Sequence, residues 1–134
     1  AEMPEQEFIA AIVKEADCLL HLDVNNVYVN SRNFGFNPEA YMDALPLERV
    51  CYLHVAGHYT EADGFLIDTH GAAVVDPVWD LLDYAYDRLG AKAAAVPTCL
   101  ERDFNFPPLP ELLAEMRIVR GKQQRAVAGT GVSA

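Results

Sequence analysis

Basic residues are scarce in this chain. Its 134 residues hold 10 Lys and Arg against 20 Asp and Glu, a formal charge of −10. That balance argues against a nucleic-acid or anionic-membrane surface, because phosphate binding rests on Lys and Arg contacts. No apolar run approaches the roughly 18 residues that a membrane-spanning helix needs. The opening Ala1-Glu2-Met3-Pro4-Glu5 has neither the basic n-region nor the apolar h-region of a secretory signal. It has no starting Met either, which fits a piece of something longer. Cysteine is limited to Cys18, Cys51 and Cys99, with no Cys-x-x-Cys spacing and no even count. Each sits in an apolar run and is expected to be a small buried hydrophobe of a reducing cytoplasm. There is no Gly-x-x-x-x-Gly-Lys phosphate loop and no Gly-x-Ser-x-Gly elbow.

What the chain does have is a globular composition, 51% apolar and 22% charged, at the size of one ordinary domain. Helix and strand patterns alternate. Phe8, Ile9, Ile12, Val13 and Ala16 give Pro4 to Ala16 a helical period. Residues 18–24, 50–56 and 96–101 are apolar runs with the look of strands covered on both faces. Asn37-Pro38 starts a short helix, with Asn as N-cap and Pro at the first helical position. Asp76-Pro77 opens a longer one through Val78, Leu81, Leu82, Ala85 and Leu89, stopped by Gly90. Pro110 to Arg120 makes the last helix, closed by Gly121, and 122–134 reads as a flexible tail. The stretches 25–36 and 57–76 read as loops. The order α-β-α-β-α-β-α, with strand starts 32 and about 45 residues apart, has the spacing of βα units with functional loops. A (β/α)8 barrel takes about 250 residues, so three such strands make about half of one.

The chemistry gathers at the C-terminal ends of these strands, where α/β folds build their sites. Asp23, His54 and Glu101 stand there in succession. Taken singly, each has a plain structural reading: a turn cap, a satisfied core histidine, a partner for Arg102 or Arg117. The long loop adds Asp68 and His70, an Asp-x-His pair whose side chains share one side of an extended segment. Asn26 follows Asp23 by three residues, where a turn brings its amide oxygen to the same centre. Asp23, Asn26, His54, Asp68, His70 and Glu101 together supply two imidazoles, three carboxylates and an amide. Such a donor set suits iron, manganese or zinc, and not a thiolate-seeking copper(I) or structural zinc. His58 is a candidate for a supporting or substrate-facing role, against the plain reading of a loop histidine. His21 shares strand parity with Asp23 and reads as a hydrogen-bonded structural histidine. Cys99 shares parity with Glu101 and is a disfavoured ligand. Phe104 and Phe106 wall a pocket or pack a core.

Leu22-Asp23-Val24-Asn25-Asn26-Val27-Tyr28-Val29, His54-Val55-Ala56-Gly57-His58, Ile67-Asp68-Thr69-His70-Gly71 and Leu100-Glu101-Arg102-Asp103 resemble, in order, the signatures of one family. It is the multinuclear non-haem iron-dependent oxidases, typified by the methanobactin-biosynthesis oxidase. The resemblance runs from about Met3 to Arg120. It implies a (β/α)8 (TIM) barrel of the xylose-isomerase-like kind, two or three irons, dioxygen as oxidant, and modification of cysteines in ribosomally made peptides. A small partner protein that presents the peptide is implied as well. By this resemblance Asp23, His54, Asp68, His70 and Glu101 are iron ligands, while Asn26 lies where related barrels often have a histidine.

The family draws further ligands from the first half of its barrel. The resemblance therefore implies a C-terminal half, 1–121, which pairs with the missing half or with another copy. Other readings are a zinc-dependent hydrolase like the endonuclease relatives, a sugar isomerase, and a catalytically inactive fragment kept as an assembly module.

Overall fold

The computed structural model describes residues 2–130. Three parallel strands form its sheet in the order β1 (Leu20–Asp23), β2 (Val50–Ala56), β5 (Thr98–Glu101). A short antiparallel hairpin, β3 (Tyr59–Thr60) with β4 (Leu66–Ile67), stands apart from it inside the long loop. The helices are α1 (Glu5–Ala16), α2 (Val24–Phe34), α3 (Pro38–Asp43), α4 (Asp76–Leu89) and α5 (Leu109–Gly129). This mixed α/β arrangement with parallel strands and intervening helices is compatible with part of an α/β barrel.

The core lies on one face of the sheet. Leu22, Leu53 and Val55 point into it and meet Val24 and Val27 of α2 and the apolar face of α4. That helix buries Val78, Trp79, Leu81, Leu82, Ala85, Tyr86 and Leu89, as its period foretells. Its Asp76-Pro77 start and its Gly90 stop, with φ 58°, also follow the pattern. Asn37 caps α3 by accepting the Ala40 N–H at 2.8 Å.

Several expectations are corrected. The stretch after Asp23 is not a loop but α2. Its asparagines have low helix propensity and hide the period. Asp23 supplies the N-cap, accepting the Asn26 N–H at 2.9 Å, and Gly35 closes the helix at φ 73°. The strands are not covered on both faces. The face carrying His21, Tyr52, His54, Cys99 and Glu101 is exposed or half-buried. On α1 only Val13 is buried, while Phe8 and Ile12 are exposed.

The last helix does not stop at Gly121. It runs on to Gly129, burying Lys122 against Asp83 and Ala126 against the core. A glycine mid-helix costs only about 1 kcal/mol, which this packing offsets. Of the expected flexible tail, residues 131–134 lie outside the described residues. The cysteines are not buried: Cys18 and Cys99 are half-buried and Cys51 is exposed. Among the described residues, no helix is long and apolar enough to cross a membrane.

Candidate metal centre

Parallel register sets the first part of the site. Asp23 on β1 lies beside His54 on β2, and His54 lies beside Cys99 on β5, with Glu101 one side-chain step further along the same face. His54 Nδ1 is 3.1 Å from Glu101 Oε2 and 3.8 Å from Asp23 Oδ2. Glu101 turns its other oxygen to a second imidazole, with Oε1 3.4 Å from His70 Nδ1. His70 Nε2 in turn lies 2.9 Å from Asp68 Oδ1. Five of the six sequence-derived ligands therefore converge, with Glu101 between the two histidines. Three overlapping groups, Asp23–Asp68–His70, Asp23–His54–Glu101 and His70–Glu101–Asp103, each place ligand atoms within 4.8 Å of one another.

Asp68 and His70 meet by a different route from the one expected. His70 is not extended; its φ of 56° puts it in the left-handed region, uncommon for a residue with a Cβ. Neighbouring backbone holds it there. The His70 N–H donates to the Gly57 carbonyl at 3.1 Å, and the His70 carbonyl accepts the Asp103 N–H at 2.9 Å. Gly57 permits this close approach, since a Cβ on it would stand 2.1 Å from the Ala72 carbonyl oxygen. A Cβ on Gly71 would meet the Phe104 ring at 2.3 Å.

Asn26 sits at the centre's edge in another orientation than expected. Its Nδ2 donates to Asp68 Oδ2 at 3.2 Å, and its Oδ1 accepts from Asn30 at 3.1 Å. The amide nitrogen, not the oxygen, faces the carboxylates. His58 lies one residue further out, its Nδ1 2.9 Å from Asn25 Oδ1. His21 is exposed and stacks edge-on to His54, ring centroids 4.1 Å apart.

Two residues at the centre were missed from sequence. Asp103, with Oδ2 3.2 Å from His70 Nδ1, sits two residues past Glu101. The alternation rule applied to Asp68 and His70 points to it. Asn25, fully buried and bonded to Asp68, was hidden by reading α2 as a loop.

The electrostatics fit a cation. Burial pushes the Asp23 carboxyl above its usual range; the Asn26 N–H works against this and the Asp68 charge adds to it. Burial lowers the His70 pKa, but Asp68, the Asp103 hydrogen bond, Glu101 and Asp23 outweigh it and leave the imidazole above its ordinary value. Burial lowers the His58 pKa against an opposing pull from Asp68. Arg102, the nearest cation in sequence, is turned away to Glu115 at 3.0 Å. His70 Nε2 is buried with no aligned hydrogen bond despite its 2.9 Å approach to Asp68 Oδ1. A buried imidazole nitrogen left without a hydrogen bond, amid acceptor-only oxygens, is what a metal ligand looks like. The residues present fit a metal.

The sequence is similar to known proteins. A UPF0276 protein of Alcanivorax borkumensis is 53% identical over 124 residues, covering 92% of this chain and 40% of the relative. One of Shewanella amazonensis is 54% identical over 127 residues, covering 95% of this chain and 44% of the relative. One of Neisseria meningitidis serogroup B is 55% identical over 127 residues, covering 94% and 44%. The chain thus spans about two fifths of the length of these relatives. Residues 1–124 match the model of the RiPP precursor modification enzymes MbnB/TglH/ChrH, and the chain belongs to that family.

Proposed function

We propose that this chain is the C-terminal half of a (β/α)8 barrel and carries ligands of a multinuclear iron centre. The intact barrel would use dioxygen to modify cysteines of ribosomally made peptides. The observation that carries this reading is Glu101. One of its oxygens faces His54 and the other faces His70, with Asp23 and Asp68 beside them. Glu101 could thus help to hold metal together with His54 on one side and with His70 on the other.

Bound iron would supply the electron transfer between dioxygen and a thiolate that no side chain here can perform. The residues of the chain supply the rest. Asp23, His54, Asp68, His70 and Glu101 would hold two or three ions in the complete barrel, and Asp103 extends the set on the His70 side. Asp68 is gripped by Asn25 and Asn26, which fix its orientation. His58 stays neutral near pH 7, because burial disfavours its charged form. A cysteine-bearing peptide is the substrate this reading expects, presented by a small partner protein. The strands β1 and β5 are the sheet's edges, and the preceding half-barrel or a second copy would pair there.

Manganese and zinc accept the same donors, so metal analysis is the test. Protein purified without oxygen and joined to the segment that precedes the matched region in its relatives should hold two to three irons per barrel. Zinc alone, together with cleavage of abasic DNA, would overturn the oxidase reading in favour of a hydrolase.

A further inference from the structure

Asn25 is fully enclosed, at 0% exposure. Burying an amide without partners costs about 1–3 kcal/mol, so both of its ends need to be used. Its Nδ2 donates to Asp68 Oδ1, and its Oδ1 faces His58 Nδ1 at 2.9 Å. Chemistry fixes this direction. An ionised carboxylate only accepts, so the amide nitrogen must face Asp68 and the amide oxygen must face His58. An imidazole nitrogen opposite an amide oxygen must then carry the hydrogen. His58 is thereby held as the Nδ1–H tautomer with Nε2 bare, the opposite of what a histidine free in water favours. The same amide bond turns Asp68 Oδ1 to the side where His70 Nε2 lies 2.9 Å away.

We propose that Asn25 is a positioning residue that sets two groups with one amide: the rotamer of Asp68 and the tautomer of His58. The Asp68 half rests on the metal reading given above. The His58 half does not. No other residue on the inner side of α2 reaches both groups, since Asn26 touches Asp68 only through Oδ2 and turns its oxygen to Asn30.

The test is two-bond ¹H–¹⁵N NMR of the histidine rings in the ¹⁵N-labelled chain, metal-free and with Zn²⁺, beside Zn²⁺ titration. In the wild-type chain His58 should show a protonated Nδ1 and a bare Nε2. Asn25→Ala should move His58 toward the Nε2–H form and weaken Zn²⁺ binding about 10–100-fold, the usual effect of losing a residue that orients a ligand. Asn25→Asp can still accept from His58 with one oxygen and shares a proton with Asp68 through the other, so it should keep the Nδ1–H tautomer. That variant guards against an alanine variant that does not fold. A wild-type His58 in the Nε2–H form overturns the proposal. So does a folded Asn25→Ala chain with tautomer and Zn²⁺ affinity unchanged. The predicted tautomer in a chain that binds no Zn²⁺ would remove the Asp68 half of the proposal and leave Asn25's hold on His58 standing.

Discussion

Glu115 on α5 receives Arg102, from the residue after β5, at 3.0 Å, with side chains 13% and 7% exposed. The same carboxylate accepts the Val74 N–H at 3.0 Å. Arg102 also donates to the Asn105 carbonyl at 3.2 Å. One acidic residue on α5 therefore ties together the loop after His70 and the loop after Glu101. Replacing Glu115 by Ala leaves a buried guanidinium unpaired, and breaking a buried pair in this way costs about 3–5 kcal/mol. Glu115→Gln keeps an acceptor for Val74 and should lose less. Urea unfolding of the wild type and the two variants checks the ranking; a Gln variant as stable as the wild type would mean that the ion pair contributes nothing beyond a hydrogen bond.

The histidines should carry metal affinity unequally with their neighbours. His54→Ala and His70→Ala each remove an imidazole from a group of converging ligand atoms, and each should lower bound metal per chain. Asp103→Ala should lower it less, since that carboxylate is the most exposed of the set, at 56%. Metal content by elemental analysis gives the order. Unchanged content in either histidine variant would return that residue to a structural role.

His70 predicts a pH dependence with a definite sign. Burial works against its proton, but Asp68, Asp103, Glu101 and Asp23 win, so its folded pKa lies above the ordinary 6.5. A raised histidine pKa adds stability that is fully present below 6.5 and is lost as pH rises through the folded value. The raised Asp23 pKa acts in the same direction, from its ordinary 3.8 upward. The metal-free chain should therefore lose part of its stability across neutral pH. Metal displaces the same proton, so its affinity should rise over that window. His70→Gln should flatten both curves, read from urea midpoints and metal titrations at several pH values.

Two glycines near His70 predict different outcomes for the same substitution. Gly57→Ala drives a Cβ into backbone, the Ala72 carbonyl, which cannot swing aside. It should cost about 1–3 kcal/mol as overpacking does, and it should lower metal affinity by displacing the partner of the His70 N–H. Gly71→Ala meets the ring of Phe104, which is 46% exposed and free to turn outward. Its cost should be smaller and should vanish with Phe104→Ala. Thermal unfolding of the three variants settles it.

The legible parts of the molecule were those with a strong period or a strong edge. Residues 50–56 read as a strand because apolar side chains run unbroken to His54, and they form β2. Residues 76–89 read as a helix because Pro opens and Gly closes an apolar stripe. The polar residues near strand ends, Asp23, His54 and Glu101, were legible for the same reason, since strand parity puts them on one face. What escaped was set by tertiary contact. Asp23 nucleates a helix through its own side chain, in a segment whose asparagines speak for a turn. His70 adopts a left-handed backbone only because Gly57 and Asp103 hold both of its peptide groups. The last helix crosses Gly121 because Lys122 and Ala126 find partners beyond it.

Asp23 uses Oδ1 to start a helix and turns Oδ2 toward His54. A carboxylate fastened at one oxygen has lost the rotation by which it could follow a moving ion. Asp23 is thus the fixed datum of the centre, anchored to the same backbone that begins α2. If the proposed centre holds metal, adjustment to an ion would fall opposite Asp23, on the longer and less tethered arm of Glu101. The stiffness of a helix start would in this way decide which side of the centre is the hinge.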